Sequence, residues 1–292
     1  MRWWADGHVS GSPEAPFDLS DRGLLLGDAL FDTAMVRGGH VVRGRAHLDR
    51  LEAGCATLGM HFDRTRAAAA WAAVCGGLEA GSVRLTVTRG SGPRGVAPPA
   101  DPSPRIFASS APGLPEPFAP VRLATSAIRR NETSPTSRLK TTGYLDAVLA
   151  TRAAREAGAD EPLFLNTQGN AACTGIGNLF ALIGRRLVTP PVSEGVLPGI
   201  VRAEMLAIAP SAGLVPEERP LTPAQLQEAG ALLVTNSLRI ASPVAALDGR
   251  VLPPPPSAAT ALLQALLRAL ANETGSSFSP ERPAIPSPED LP

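Results

Sequence analysis

Between Ala111 and Pro120 the chain reads Ala-Pro-Gly-Leu-Pro-Glu-Pro-Phe-Ala-Pro, a spacing of prolines that no helix or central strand tolerates. Each proline fixes φ and removes a backbone donor, so the segment is expected to be a stiff extended linker. The 292 residues, 44% of them hydrophobic, are long enough for two ordinary cores. We therefore expect an α/β (α+β) protein with a small N-terminal α/β domain at 1–112, a linker at 113–120 and a second domain at 121–275. Residues 276–292 are rich in Pro, Ser and Glu with few large apolar side chains, and a disordered tail is expected there.

Periodicity places the elements on either side of the linker. Asp21 to Gly27 reads as a loop leading into a strand over Ala29 to Val36, and Gly38-Gly39 as a hairpin turn into Val41-Val42. Leu48, Leu51, Cys55 and Leu58 recur at helical spacing and predict a helix over 46–58, followed by an Ala-rich helix over 66–78. Val83, Leu85 and Val87 alternate as in a half-buried strand, and a further strand is expected at 105–110. Past the linker, strands are expected at 121–125, 163–165, 179–183 and 231–234. Helices are expected at 143–157, from Pro198, and at 258–272.

The charge balance excludes some functions. With 27 basic against 27 acidic residues, the chain lacks the electrostatic footprint of a nucleic-acid or polyanion binder, and a small ligand is the default expectation. Cys55, Cys75 and Cys173 are odd in number and match no zinc spacing, and the opening residues lack a signal-peptide core. A reducing, cytoplasmic setting with no metal centre is expected. The most apolar run, 67–78, is shorter than the roughly 20 residues a membrane span needs.

Of the 27 Lys and Arg residues only Lys140 is a lysine, and the single tyrosine, Tyr144, follows four positions later. Wherever positive charge suffices, arginine is used, so charge alone does not account for Lys140. A lysine offers a primary amine whose pKa falls on burial and which condenses with an aldehyde. A chance survivor of arginine bias is the bland alternative. If Lys140 is a Schiff-base lysine, pyridoxal phosphate is the economical partner, and the chain must also supply phosphate donors. Gly199-Ile200-Val201 is a small-residue helix start of the kind that binds phosphate, Ser237 stands at a strand exit, and Arg50 offers a fork of donors. Taken singly, Arg50 is as well explained by a surface arginine, and Tyr144 by a core aromatic.

The ordered runs Asp21-Arg22-Gly23-Leu24-Leu25-Leu26-Gly27-Asp28-Ala29-Leu30-Phe31-Asp32-Thr33, His47-Leu48-Asp49-Arg50-Leu51, Leu139-Lys140-Thr141-Thr142-Gly143-Tyr144-Leu145, Gly158-Ala159-Asp160-Glu161, Asn178-Leu179-Phe180 and Leu197-Pro198-Gly199-Ile200-Val201-Arg202 resemble those of class IV aminotransferases. The resemblance covers roughly residues 18–270 and implies a fold-type IV enzyme with a C-terminal pseudo-barrel domain, dependent on pyridoxal 5'-phosphate. It implies that Lys140 is the catalytic Schiff-base lysine, and that Arg50, Gly199, Ile200, Val201, Asn236 and Ser237 bind phosphate. Tyr144 is implied to stand near the phenolic oxygen of the cofactor. Phe31 is implied to face substrate, as is Arg94, on a loop that family members lend to the neighbouring subunit of a homodimer. Arg89-Gly90-Ser91-Gly92-Pro93-Arg94-Gly95 and Thr235-Asn236-Ser237-Leu238 look like the 4-amino-4-deoxychorismate lyase subgroup.

Cys173 departs from the family pattern. It stands where the family has the glutamate that keeps the pyridine nitrogen protonated, and a neutral thiol does this poorly. Transamination leans on that protonated ring, whereas loss of pyruvate to form an aromatic ring has its own driving force. The expected reaction is therefore conversion of an amino-acid-like substrate, 4-amino-4-deoxychorismate, to 4-aminobenzoate and pyruvate. The alternatives are a D-amino-acid or branched-chain transaminase, and a pyridoxal-phosphate-binding protein with little catalysis.

Overall fold

The computed structural model describes residues 1–275, which divide into two compact units. The first comprises Met1–Leu114 together with Leu139–Tyr144, and the second Pro115–Arg138 together with Leu145 onward.

The elements of the first unit are β1 (Arg2–Ala5), β2 (His8–Ser10), α1 (Arg22–Leu26), β3 (Ala29–Arg37), β4 (His40–Val41), α2 (Gly44–Thr57), α3 (Arg64–Cys75), β5 (Ala80–Thr88) and β6 (Arg105–Pro112). Its strands form an antiparallel sheet in the order β2-β1-β6-β5-β3-β4. The β3–β5 register sets Leu30 opposite Val87, Asp32 opposite Leu85 and Ala34 opposite Val83, and opposed residues share a face. On that face α2 lays Leu48, Leu51 and Cys55, and α3 lays Ala67, Ala70, Trp71 and Val74, closing one core. Each fully buried Leu or Val there contributes about 1.5–3 kcal/mol.

Both long helices begin earlier than periodicity implied. The Asp63 carboxylate accepts from Arg66 N at 2.8 Å and caps α3, which therefore starts at Arg64 rather than 66 and ends before Gly76-Gly77. The stretch 21–27, read as a loop, contains α1. Asp21 caps it by accepting from Gly23 N at 2.7 Å, and Gly27 closes it in the left-handed region at φ 67°. So short a helix leaves no periodic trace.

The second unit holds β7 (Val121–Thr125), α4 (Leu145–Glu156), β8 (Glu161–Leu165), β9 (Ala171–Thr174), β10 (Asn178–Ile183), β11 (Arg186–Thr189), α5 (Ile200–Ile208), β12 (Val215–Glu218), α6 (Pro223–Glu228), β13 (Ala231–Asn236), β14 (Ile240–Leu247), β15 (Arg250–Val251) and α7 (Ser257–Thr274). Its sheet runs β12-β11-β10-β13-β14-β7-β8-β9, and a further pairing of β9 with β10 returns the ladder to its own middle. The strands β10, β13, β14, β7, β8 and β9 thus close into a barrel, whose core contains Leu123, Leu163, Leu179, Leu232 and Val234. The closing pair is Cys173 opposite Asn178. A single turn was expected between the strands at 163–165 and 179–183; instead β9 intervenes. Its residues, Ala-Ala-Cys-Thr, are too small to give a β pattern.

Strands β7 and β8 are parallel and need a long crossover, which residues 126–160 supply. Within that crossover, the stretch bearing Lys140 pairs with β3: Phe31 N donates to Lys140 O at 2.9 Å and Thr142 N to Ala29 O at 3.1 Å. Residues 139–144 therefore group with the first unit, although they lie inside the range 121–275 assigned to the second domain from sequence. An irregular stretch held by a few backbone bonds carries no signature of its partner. The tail at 276–292 lies outside the described residues.

Gly81, at the start of β5, lies so close to β6 that an added Cβ would stand 2.2 Å from the carbonyl oxygen of Ala111. Gly81→Ala is expected to destabilise the protein by roughly 1–3 kcal/mol through this backbone clash, seen as a lower midpoint in urea.

Candidate active site

The pairing of residues 139–144 with β3 decides what surrounds the lone lysine. The Leu30–Thr141 bridge sets Lys140 opposite Phe31, so both side chains project to the face of β3 away from α2. Lys140 Nζ lies 4.3 Å from the centre of the Phe31 ring and donates to Tyr144 Oη at 3.1 Å. The Phe31 and Tyr144 rings meet edge to face, 5.2 Å between centres. On the same face stand Thr33 and its partner Arg84, whose guanidinium carbon lies 3.6 Å from the centre of the Phe31 ring. The Lys140 amine and the Arg84 guanidinium thus both lie against one aromatic ring. Arg84 was not singled out from sequence. The signal existed, because alternation of Val83, Leu85 and Val87 into the core sends Arg84 and Thr86 to the other face.

Arg50 is not on that face. It leaves α2 toward Asp32, the neighbour of Phe31 on β3, and donates from Nε to Oδ2 at 2.8 Å and from Nη2 to Oδ1 at 2.7 Å. His47 Nδ1 lies 2.9 Å from Oδ1 of the same carboxylate. Asp32 is 1% exposed. Burial alone would raise its pKa, but the His47 hydrogen bond and the Arg50 charge overcome this and hold it at about 2. Sequence reasoning placed neither Asp32 nor His47 in the site. An acid in the middle of an otherwise apolar strand was the available sign, since such a group is seldom buried unpaired.

Arg94 stands exposed on the loop between β5 and β6. The neighbouring backbone is held by Arg22, which donates from Nη1 to Gly95 O and from Nη2 to Val96 O, each at 2.9 Å. Asp28 anchors Arg22 at 3.0 Å and Arg89 at 2.6 Å. Burial opposes ionisation of Asp28, but these two guanidiniums draw its pKa below the ordinary value.

The second unit carries the other expected residues, of which Cys173 lies on the barrel wall. Cross-strand register aligns Phe164, Cys173, Asn178, Thr235 and Ala241 in a row. Asn178 Nδ2 donates to Leu197 O at 2.9 Å and so fixes the approach to α5. Gly199 is the residue before that helix, and a Cβ there would lie 1.9 Å from Asn178 Oδ1. No side chain caps α5 and its first turn holds no acid, so the N–H groups of Ile200, Val201 and Arg202 have no acceptor within the helix. Asn236 is occupied otherwise than expected: its Oδ1 accepts from Leu238 N at 3.0 Å and Arg239 N at 2.8 Å, shaping the turn that carries Ser237. The Thr235 hydroxyl, in a residue 1% exposed, has no protein partner.

Cys173 is buried in a cluster with Ala150, Phe164, Ala172 and Val196. The carboxylate tied to its strand belongs to Glu161, which accepts from Thr174 Oγ1 at 2.8 Å and Arg239 Nη1 at 2.6 Å. Thr174 pairs with Leu163, so Thr174 and Glu161 project to the opposite face from Cys173. The remaining thiols are chemically quiet: burial pushes Cys55 up to about 12 and Cys75 up to about 11. Among the described residues no cluster of His, Cys, Asp and Glu could hold a metal ion, and no helix is long and apolar enough to cross a membrane.

Within the first unit a lysine amine beside a phenol suits an aldehyde, and within the second an uncapped helix start behind a required glycine suits a phosphate. Residues 29–247 match the family model for amino-transferase class IV. The chain belongs to that family. Family members depend on pyridoxal phosphate, act on amino-acid substrates and are typically dimeric, and the chain is accordingly an enzyme. It is 30% identical over 259 residues, 86% of this chain and 90% of the relative, to a Methanocaldococcus jannaschii protein assigned as a branched-chain-amino-acid aminotransferase. It is 26% identical over 246 residues, 82% of this chain and 90% of the relative, to aminodeoxychorismate lyase of Vibrio harveyi. Its fold matches the crystal structure of 4-amino-4-deoxychorismate lyase from Pseudomonas aeruginosa with a TM-score of 0.80 and 34% identity, over 91% of this chain and 98% of the other.

The depressed pKa of Asp32 has a stability consequence with a definite sign. Its contribution is fully present above the unfolded carboxylate value and is lost as pH falls from about 4 through about 2. Asp32→Asn should therefore be less stable than the native protein near neutrality, by on the order of 2 kcal/mol or more. The gap should narrow as urea titrations are moved from about pH 5 to about pH 3.

Proposed function

We propose that this enzyme uses pyridoxal 5'-phosphate to convert 4-amino-4-deoxychorismate to 4-aminobenzoate and pyruvate. The observation that carries the lyase reading is the setting of Cys173, where a thiol in an apolar cluster stands in place of the expected acid and Glu161 faces the other way. The likeness to two lyases supports it.

Lys140 would hold the cofactor through its amine, Tyr144 would bond near its phenolic oxygen, and Arg50 with the first turn of α5 and Ser237 would hold its phosphate. Bound there, the cofactor supplies an electron-accepting ring for the carbanion formed when the substrate loses its α-proton. The Lys140 amine would be the general base that takes this α-proton. The electron pair left behind expels the enolpyruvyl oxygen from the neighbouring carbon, and protonation of the departing group completes pyruvate. Without an acid at position 173 the ring would be a weaker sink, which is tolerable because aromatisation drives the elimination. Arg84 and Arg94 are the cations we assign to the carboxylates of the substrate, the latter from a neighbouring subunit of a homodimer.

Transamination of a small amino acid is the second reading, favoured by the likeness to the M. jannaschii protein. Product analysis separates the two. Incubation with 4-amino-4-deoxychorismate is expected to yield equal amounts of 4-aminobenzoate and pyruvate with no keto acid added. Turnover of D- or L-amino acids that depends on 2-oxoglutarate or pyruvate, with no 4-aminobenzoate formed, would overturn the lyase assignment.

A further inference from the structure

Consecutive residues of β3 hold two chemically distinct groups. The backbone N–H of Phe31 is bonded to the carbonyl of Lys140, and the side chain of Asp32 grips the guanidinium of Arg50. The row that Asp32 occupies is otherwise Leu30, Ala34 and Val36, all buried. An apolar side chain there would serve the core at least as well, because an ion pair taken out of water seldom repays its desolvation. What a carboxylate adds at this position is direction.

The grip is directional in the required sense. Asp32 takes Nε and Nη2 of Arg50 with both its oxygens, a fork that fixes the plane of the guanidinium and not merely its position. His47, one turn before Arg50 on α2, bonds to Oδ1 and prevents the carboxylate from swinging. The guanidinium is 14% exposed, so its orientation is set before any ligand arrives and its rotamer freedom is already lost. We propose that Asp32 is a positioning residue that orients Arg50 for the phosphate of the cofactor. This rests on the reading that Arg50 binds that phosphate.

The test compares cofactor-free protein binding pyridoxal 5'-phosphate with the same protein binding pyridoxal, by equilibrium dialysis. The Kd for pyridoxal divided by the Kd for pyridoxal 5'-phosphate isolates the phosphate contribution. Asp32→Asn is expected to lower this ratio about tenfold, leaving the pyridoxal Kd nearly unchanged, since loss of a bidentate charged contact is of that size. Asp32→Glu, which keeps the charge and safeguards folding should the neutral variant fail, is expected to give an intermediate ratio. Arg50→Lys controls for the underlying reading. If Arg50→Lys leaves the ratio unchanged, Arg50 does not bind phosphate. If Arg50→Lys collapses the ratio while both Asp32 variants keep it, the role of Asp32 is overturned and that of Arg50 stands. Equal weakening of both ligands by the Asp32 variants marks a merely structural ion pair and also overturns the proposal.

Discussion

The whole arrangement depends on a short backbone pairing: residues 139–144 lie along the edge of β3, through Phe31 N to Lys140 O and Thr142 N to Ala29 O. Those bonds take a segment out of the crossover between two parallel strands of the second unit and add it to the sheet of the first. They set the only lysine opposite Phe31, from which its contact with Tyr144 and its place beside Arg84 follow. A shift of one residue in this pairing would turn Lys140 toward the helices and Leu139 away from the core it now packs against.

The barrel of the second unit is closed by an equally small contact, Cys173 opposite Asn178. Asn178 also fixes the approach to α5 and, by its closeness, requires glycine at 199. The seam of the barrel and the uncapped helix start are therefore one construction. Cys173 sits in that seam among apolar neighbours.

Buried ion pairs serve a further purpose in the first unit. Asp32 and Asp28 both lie where burial works against ionisation, and both are kept ionised by arginines that they hold in turn. One pair fixes a guanidinium on α2, and the other fixes the loop that carries Arg94. In each case removal of the acid would leave a cation without its anchor, which is costlier than never having had the pair.

The sequence by itself determined the main elements and singled out Lys140. Alternation in β3 and β5 and the helical spacing in α2 are local patterns, because a side chain chooses its face according to its immediate neighbours in the chain. The lone Lys140 and the ordered motifs were legible for the same reason: they are matters of residue type and order. The sheet to which residues 139–144 belong, the closure of the barrel through β9, the face shown by Glu161 and the partner that claims Arg50 were decided by tertiary structure alone. Each rests on a contact between residues far apart in the chain, and no local period records such a contact. Asp32 shows the division plainly: its presence in an apolar strand was visible in the sequence, but its purpose appears only when α2 brings His47 and Arg50 to it.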